Sequence, residues 1–392
     1  MMKLYLHDSY LTDFEAEVTG EKSIDNYNAV ALDRTAFYPL SGGQQHDTGE
    51  LNGIRVVRVV MESDIIWHLL EKPLQQKTVR GRIDWNRRFD FMQQHTAFHI
   101  LAAAFLHQKG IQTLSSHLGE ESSTIDLDVS DLDENVLAAI ETAANRIVWE
   151  NRPVSVKWPQ KAELNKLSLR QGSEREENIR LIDIEAYDLD PCAGTHVRHT
   201  GGVGLIKFIG RERIRGKLRF YFLAGSRALR HYQHSYQTLK SCSGFLTTGV
   251  DELEAGIEKL QAENKRLTRE VISIQEQVLQ QTEASLLQRA EREDIVSACI
   301  GNLDLRKLCS RLMQAQPNAL FLIVQRGENR VNFCFCSGRE EINFEPALEI
   351  FRKKLNAKGG GRPNFLQGSA LRSEDIDSVV QQAVDLMRLE LT

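Results

Sequence analysis

The sequence predicts a multidomain α+β protein. Its 392 residues exceed the length of one ordinary domain, so two or three domains are expected. The first 84 residues alternate apolar and polar side chains in short stretches, which is typical of antiparallel strands. Later residues mix helical and strand periods, and a heptad pattern separates that region from a last α/β segment. We therefore expect helices layered on sheets rather than a doubly wound fold.

The N-terminal region is predicted to be a small antiparallel barrel or sandwich. Alternating runs such as 54–60 and 78–83 are separated by turn residues. Residues 39–43 cannot continue a strand, because Gly42 and Gly43 favour positive φ angles and allow a ligand to approach the backbone closely. A tight connection between two strands is the alternative interpretation of this segment.

The next segment, 86–109, is predicted to be a single helix that carries two histidines on one face. Its end is indicated by a lysine followed by Gly110. Side chains three and four residues apart share a helix face. One stripe of the helix therefore contains Met92, His95, His99, Ala102 and Leu106.

A second pair with the same spacing, Cys192 and His196, follows on a predicted turn. Three imidazoles and a thiolate suit a tetrahedral ion, most simply Zn²⁺. Each pair alone could be structural, but two pairs in a chain with no sign of export favour a metal site. A zincin-type protease is not expected, because Thr96 stands where such enzymes need glutamate.

A set of four protein ligands leaves the role of the ion open. Closed four-ligand sites are usually structural, whereas catalytic zinc usually keeps one open position. Either one ligand is displaced by water or substrate, or the ion orients the substrate instead of activating water. The sequence does not identify a general base.

Composition and charge exclude several classes of protein. The net charge of −5 argues against broad non-specific binding of nucleic acid. The sequence contains no run of about 18 apolar residues, so we expect no membrane span. The six cysteines do not form a secreted disulfide framework, and cytoplasmic residence is expected.

The segment 253–278 carries a heptad seam of apolar residues with Asn264 at an a position. Such a seam must pack against a partner chain or against the segment 285–291 folded back as a hairpin, and we favour the hairpin. A compact α/β unit with a Gly-rich loop at 359–361 is expected to follow.

Five motifs together resemble a known family. They are His95-Thr-Ala-Phe-His99, Cys192-Ala-Gly-Thr-His196, Thr35-Ala-Phe-Tyr-Pro-Leu-Ser-Gly-Gly-Gln44, Asp47-Thr-Gly49 and Gly359-Gly-Gly-Arg-Pro-Asn-Phe-Leu-Gln-Gly368. The first four resemble the alanyl-tRNA editing domain, which occurs in alanyl-tRNA synthetase and in free-standing AlaX proteins. The last is similar to the C-terminal domain that this synthetase shares with some DHH-type phosphoesterases. Because the Asp-His-His tripeptide is absent, phosphoesterase activity is not expected.

This resemblance to the long form of AlaX implies four segments. Residues 1–84 would form a small β-barrel. Residues 85–240 would form the zinc-containing editing domain common to threonyl- and alanyl-tRNA synthetases, which has a mixed sheet. A helical or coiled-coil linker over 241–292 and a DHH-associated α/β domain over 293–392 would follow.

The resemblance also implies a function in translation fidelity. The protein would act in trans as a zinc-dependent aminoacyl-tRNA deacylase that binds one Zn²⁺ per chain. Its substrate would be tRNA(Ala) mischarged with serine, with glycine as a second candidate. A homodimer through the C-terminal half is expected. The alternative is a zinc-stabilised RNA-binding protein without catalysis.

Several residues are assigned to the substrate by the resemblance. Thr35 and Gln44, the candidate catalytic residues, flank the Gly-rich segment, and their side chains could hydrogen-bond the serine hydroxyl. The alternative places them on a strand surface and in a turn. Leu40-Ser41 departs from the usual Glu-Gly of the family, which affects the expected selectivity. The residues expected to contact tRNA are Gly42, Gly43, Arg215, Lys217 and Arg362, with Lys354 and Lys358 beside the last.

Overall fold

The computed structural model describes residues 1–164, 166–170, 179–371 and 375–391. The chain divides into two compact units, Met1–Cys242 and Ser243–Thr392. Both units mix helices with sheets, so the predicted multidomain α+β class is confirmed. Across the part of the chain that is described, no helix is long and apolar enough to cross a membrane.

The first unit begins with a closed barrel of six strands, in the order β2-β3-β7-β6-β5-β8. The strands are β1 Met2–Lys3, β2 Asp13–Ile24, β3 Tyr27–Leu32, β4 Arg34–Thr35, β5 Gly49–Leu51, β6 Ile54–Glu62, β7 Ile65–Leu70 and β8 Thr78–Ile83. Strands β1 and β4 pair with each other outside the barrel. Strict alternation of exposed and buried residues along β8 shows why this region forms a sheet closed around a core.

The rest of the first unit packs two long helices against sheets. Its elements are α1 Trp85–Lys109, β9 Thr113–Leu118, β10 Ser123–Leu127, α2 Glu134–Trp149, β11 Val154–Lys157, α3 Lys161–Leu164, β12 Leu181–Ile184, β13 Asp188–Pro191, β14 Ile206–Ile214, β15 Lys217–Ala224 and α4 Ser226–Leu246. One sheet has the order β14-β15-β10-β9, and a second has the order β11-β12-β13. The predicted helix is confirmed as α1, which begins after an Asp84 cap and ends at Gly110 in the left-handed conformation.

The second unit contains a five-stranded sheet in the order β16-β17-β18-β20-β19. Its elements are α5 Leu253–Ala290, β16 Ile295–Ile300, α6 Leu305–Ala315, β17 Leu320–Arg326, β18 Arg330–Cys336, α7 Glu345–Leu355, β19 Lys358–Arg362, β20 Phe365–Leu371 and α8 Ile376–Leu391. Phe333, Phe335 and Phe351 pack together in its core.

Two predictions for this unit were wrong. The favoured hairpin does not form, because residues 285–290 belong to the single helix α5, which ends at Ala290. The Gly-rich stretch is the edge strand β19 rather than a loop. A Cβ atom on Gly359 would lie 2.7 Å from the Gln367 carbonyl oxygen, so glycine lets β19 and β20 pair closely.

Candidate metal centre

The structure brings the two predicted ligand pairs together. His95 and His99 lie one turn apart on α1, and Cys192 and His196 lie just after β13. One donor atom from each of the four residues lies within 4.8 Å of the others. The Cys192 Sγ atom is 3.3 Å from the His95 Nε2 atom and 3.2 Å from the His196 Nε2 atom. The three histidines are buried and Cys192 is half-buried.

These distances fit a tetrahedral ion. Zinc bonds of about 2.0–2.1 Å to nitrogen and 2.3 Å to sulfur place tetrahedral ligands about 3.6 Å apart. The observed sulfur–nitrogen separations differ from that value by less than about 0.5 Å. The donor set of three imidazoles and a thiol is also the set that zinc prefers. The residues therefore fit Zn²⁺ in both chemistry and spacing.

The first two ligand histidines each have the remote Nδ1 nitrogen held by an acceptor. The Gln44 Oε1 atom lies 2.8 Å from the His95 Nδ1 atom, and the Asp188 Oδ2 atom lies 3.0 Å from the His99 Nδ1 atom. A carboxylate and an amide oxygen can only accept, so both imidazoles carry the proton on Nδ1. Their Nε2 atoms are then free to bind an ion, as in other metal-bound histidines.

The third ligand histidine is held by a hydroxyl group. The His196 Nδ1 atom lies 3.3 Å from the Thr96 Oγ1 atom. This Thr96 oxygen also accepts the backbone N–H group of Val197 at 3.2 Å. Thr96 therefore ties the loop that carries His196 to the helix that carries the other two histidines.

The side chain of Gln44 makes three hydrogen bonds within the protein. Its Oε1 atom also accepts the Thr195 N–H group at 3.1 Å, and its amide nitrogen donates to the Thr195 hydroxyl group at 2.8 Å. The side chain is completely buried. A Cβ atom on Gly194 would lie 2.1 Å from the His95 ring and 3.0 Å from the Gln44 Oε1 atom. Only glycine fits at position 194, because these two side chains meet beneath it.

A buried ion pair fastens the Gly-rich segment to α1. The guanidinium of Arg88 donates to both carboxylate oxygens of Asp47, and both side chains are almost fully buried. Arg88 also donates to the Ser9 and Ala36 carbonyl oxygens, and Asp47 accepts the Tyr38 N–H group. Because these partners satisfy both charges, the Arg88–Asp47 ion pair holds the Gly-rich segment in one position.

Thr35, the other predicted pocket residue, lies in β4 and is completely buried. Its hydroxyl lies 2.8 Å from the His68 Nε2 atom and accepts the Phe37 N–H group at 3.1 Å. The His68 Nδ1 atom lies 3.1 Å from the Val30 carbonyl oxygen, which can only accept. Neutral His68 therefore accepts the hydroxyl proton of Thr35. Thr35 and Gln44 flank the same segment but contact different partners.

The groups around Cys192 change the pKa of its thiol in the direction that favours metal binding. Burial raises the pKa of its thiol, but the neighbouring His95 and His196 outweigh burial and hold that pKa well below its ordinary value. Burial lowers the pKa of His196 to about 3. Burial also opposes the charged form of His99, but Asp188 and Cys192 raise its pKa to about 9, so an ion that binds its Nε2 atom would displace a proton there. The thiolate is therefore the favoured form of Cys192 at neutral pH.

The predicted basic contacts lie away from the four ligands in sequence and are partly neutralised. Arg215 occupies the turn between β14 and β15 with a positive φ angle, and Lys217 pairs with Asp128. Arg211 and Arg213 in the same hairpin pair with acidic side chains as well. Arg362 lies in the other unit, at the end of the exposed strand β19.

The sequence analysis missed several residues that support the ligands. Asp188 and Arg170 form one such group, since Arg170 donates from Nε to Asp188 at 2.7 Å and from Nη2 to Asp190 at 2.5 Å. A signal was present, because Asp188 and Asp190 alternate along β13 and therefore share a face just before Cys192. Thr96 and Arg88 had no comparable signal, although Asp47, the partner of Arg88, lies in one of the quoted motifs.

The fold and the site together define a class: an α+β domain that can hold one metal ion between a helix and a following loop. Residues 179–220 match the family model described as the threonyl and alanyl tRNA synthetase second additional domain. This stretch contains Cys192 and His196.

Curated relatives extend this match over nearly the whole chain. The Alanyl-tRNA editing protein Aarsd1-A of Xenopus laevis is 28% identical, over 97% of this chain and 98% of its own length. The Alanyl-tRNA editing protein Aarsd1 of Danio rerio is 29% identical, over 91% of this chain and 88% of its own. The Alanine--tRNA ligase of Pyrococcus abyssi is 31% identical over 98% of this chain, which spans 43% of that ligase.

The predicted resemblance is therefore confirmed, since the chain is similar to alanyl-tRNA editing proteins and to alanine–tRNA ligases along nearly its whole length. A solved structure of the C-Ala domain from Aquifex aeolicus alanyl-tRNA synthetase also matches, at 19% identity and a TM-score of 0.22. It covers 24% of this chain and 89% of that domain. A TM-score of this size does not establish a shared fold.

Proposed function

We propose that the protein is a trans-editing hydrolase that deacylates Ser-tRNA(Ala) at a zinc-dependent site. The observation that carries this proposal is the convergence of His95, His99, Cys192 and His196 in a chain that is similar to alanyl-tRNA editing proteins along nearly its full length. Gly-tRNA(Ala) is a second candidate substrate. The proposal implies one Zn²⁺ per chain and residence in the cytoplasm.

The four ligands would hold Zn²⁺, which when bound supplies a positive charge that polarises the ester carbonyl. An ester is already an activated acyl group, so this polarisation and one positioned water suffice for hydrolysis. Gln44, Asp188 and Thr96 fix the three imidazole rings. Among the four ligands, Cys192 is the one that is not fully buried.

The direct test is a deacylation assay with purified protein and Ser-tRNA(Ala). We expect hydrolysis well above the spontaneous rate, loss of activity on chelation and recovery when zinc is added back. Cys192→Ala should remove zinc and activity together, whereas Cys242→Ala, an exposed cysteine in α4, should change neither. Hydrolysis at the spontaneous rate, with zinc bound, would rule out the proposed reaction.

One observation favours the second candidate, a zinc-stabilised RNA-binding protein without catalysis. The site offers four protein ligands, and closed sites of this kind are usually structural. In this case tRNA(Ala) would bind regardless of its amino acid, and chelation would lower stability without any change in ester hydrolysis. The assay above therefore separates the two functions.

The remaining expectations form part of the same proposal. Arg215, Lys217 and Arg362 are proposed to contact tRNA, and Gly42 and Gly43 to let the substrate approach the backbone. The four-segment division, with boundaries at 84, 240 and 292, and a homodimer through the C-terminal half also remain predictions. Charge-reversal variants such as Arg362→Glu, assayed for tRNA binding at several salt concentrations, test the proposed contacts with tRNA.

A further inference from the structure

A cavity lies beside the metal centre on the same face of α1. Its volume is about 370 Å³, and its lining residues are Ala102, Leu106, Ile111, Gln112, Thr113, Leu114 and Arg170. Ala102 and Leu106 follow His99 by three and seven residues, which places them within about 60° of it around the helix axis. The face that carries His95 and His99 therefore continues into this cavity.

Arg170 forms the wall between the cavity and the ligand set. Its Nη2 atom lies 3.4 Å from the His99 Nδ1 atom, on the side of the ring away from Nε2. Its Nε atom donates to Asp188, which also holds His99. A group bound to the ion is thus separated from the cavity by an imidazole ring and a guanidinium. The cavity therefore cannot hold the ester carbonyl that would meet the ion. It suits a part of the substrate that lies further along the molecule from that carbonyl.

Two larger cavities in this unit lack that relation to the ligands. One of about 780 Å³ includes Asp84 and Trp85, at the start of α1. The other, of about 700 Å³, includes Ala104 and the exposed Trp149. Ala104 follows His99 by five residues and so points about 140° away from it around the helix. Of these three cavities, the one lined by Ala102 and Leu106 is therefore the one that continues the ligand-bearing face.

The lining of this cavity suits a neutral, flat and partly polar group. Ala102, Leu106 and Leu114 provide apolar surface, and the Gln112 carboxamide can both donate and accept hydrogen bonds. The guanidinium of Arg170 already faces the carboxylates of Asp188 and Asp190, so it is not a dedicated phosphate site. The volume falls within the range of cavities that bind small molecules, about 300–1,000 Å³.

We propose that this cavity binds the terminal nucleoside of the aminoacyl-tRNA, with its base against Ala102 and Leu114. This assignment rests on the proposed function, since it names the part of the substrate that lies next to the ester. The nucleoside would anchor the acceptor end while the ester reaches the metal centre past Arg170. Binding energy gained away from the ester would then orient the reacting group.

The test uses the zinc-loaded full-length protein and an unreactive probe, 3′-deoxy-3′-(L-serylamino)adenosine, in which an amide replaces the ester. Leu114→Trp narrows the cavity from an exposed position, and Ala102→Leu fills it from the helix. Ala104→Leu is the matched control, because it adds the same side chain on another face of the same helix. Binding is measured by calorimetry, with zinc content determined for each variant.

We expect both cavity variants to bind the probe at least about tenfold more weakly, which is about 1.4 kcal/mol, with zinc content unchanged. Ala104→Leu should bind it as the wild type does. Equal binding by all four proteins, or no binding by the wild type, would overturn the assignment. Binding that depends on the cavity but is not accompanied by deacylation of Ser-tRNA(Ala) would support the cavity while refuting the proposed reaction.

Discussion

Replacing Gln44 tests whether its side chain supports the metal or recognises the substrate. The sequence suggested that Gln44 hydrogen-bonds the serine hydroxyl, but in the structure its carboxamide is buried and contacts His95 and Thr195 three times. Gln44→Ala would leave buried donors on both residues without their partner, at about 1–3 kcal/mol for each unsatisfied group. Loss of such an outer contact typically weakens metal binding about tenfold to a hundredfold.

The measurement is zinc affinity by competition with a chelator, followed by deacylation rates for Ser-tRNA(Ala) and Ala-tRNA(Ala) at saturating zinc. We expect Gln44→Ala to bind zinc about tenfold to a hundredfold more weakly, with little change in the ratio of the two rates. Gln44→Glu keeps an oxygen facing His95 and the Thr195 N–H group, and so should recover most of the affinity. Gln94→Ala removes another fully buried glutamine, which contacts Ala224, and should lower stability without changing zinc affinity.

One result would refute this reasoning. If Gln44→Ala binds zinc as the wild type does while the preference for Ser-tRNA(Ala) falls, the side chain must meet the serine hydroxyl. The original sequence prediction would then be correct. The hydrogen bonds to His95 and Thr195 would have to rearrange when substrate binds.

Three further predictions concern single residues of the first unit. Asp188→Asn should weaken zinc binding about tenfold to a hundredfold, because the carboxylate that holds His99 loses its charge. Asp90→Asn, which alters a similar pair with the nearly buried Arg227, should leave zinc affinity unchanged, and equal losses would contradict the assignment. Gly194→Ala should abolish zinc retention by forcing the His95 ring aside, and a zinc-replete variant would show that the loop can move. Burial lowers the pKa of His68 to about 4, so the free energy of unfolding should fall by up to about 3 kcal/mol as pH falls from 6.5 to 4. His68→Gln should flatten that pH dependence, measured by urea unfolding followed by tryptophan fluorescence.

The pH prediction for His68 has a definite sign. A buried imidazole with a depressed pKa binds its proton more weakly in the folded state than in the unfolded chain. Stability is therefore full above the unfolded value of 6.5 and declines below it. Tryptophan fluorescence reports this unit selectively, because all four tryptophans lie between residues 67 and 158. An unchanged slope in His68→Gln would show that another group controls acid stability.

The sequence predicted well those helices and strands whose ends are fixed by neighbouring residues. The expected helix 86–109 matches α1 within one residue, because a capping aspartate and a left-handed glycine fix its two ends. The hairpin prediction failed because a heptad seam specifies a helix and an apolar face but not the partner of that face. The sequence held a contrary signal, since residues 257–290 contain no glycine or proline at which the chain could turn back.

The metal ligands were predictable for a similar reason, and their supporting residues were not. Spacing of four residues places His95 and His99 on one face of a helix whatever the rest of the fold does. Gln44 reaches His95 from 51 residues away, and Asp188 reaches His99 from 89 residues away. Such contacts depend on how the barrel and β13 are docked against α1. The hydrophobic periodicity and the composition of the sequence do not specify that docking.

The seam of α5 is exposed in the structure over most of its length. Leu260, Leu267 and Ile274 keep 56%, 48% and 52% of their surface exposed, whereas Leu279 and Leu286 are buried in the core of the second unit. The seam from residue 253 to 278 is about 38 Å long at 1.5 Å per residue. An exposed apolar stripe of this length is typical of a helix that pairs with another. This favours the partner-chain alternative over the hairpin.

The last prediction therefore concerns pairing between copies of α5. Leu260→Glu combined with Leu267→Glu should remove a dimer, because burying each leucine contributes about 1.5–3 kcal/mol and four are lost in the pair of chains. The expected weakening is at least about 6 kcal/mol, or roughly 10⁴-fold in the dissociation constant. Lys265→Glu, on the outer face beside Asn264, is the control and should sediment as the wild type does. Asn264→Val should strengthen association or change the number of chains, because a buried asparagine at an a position selects one register at a cost in stability. If the wild type sediments as a monomer at micromolar concentration, or the double variant remains a dimer, the seam does not pair copies of this chain.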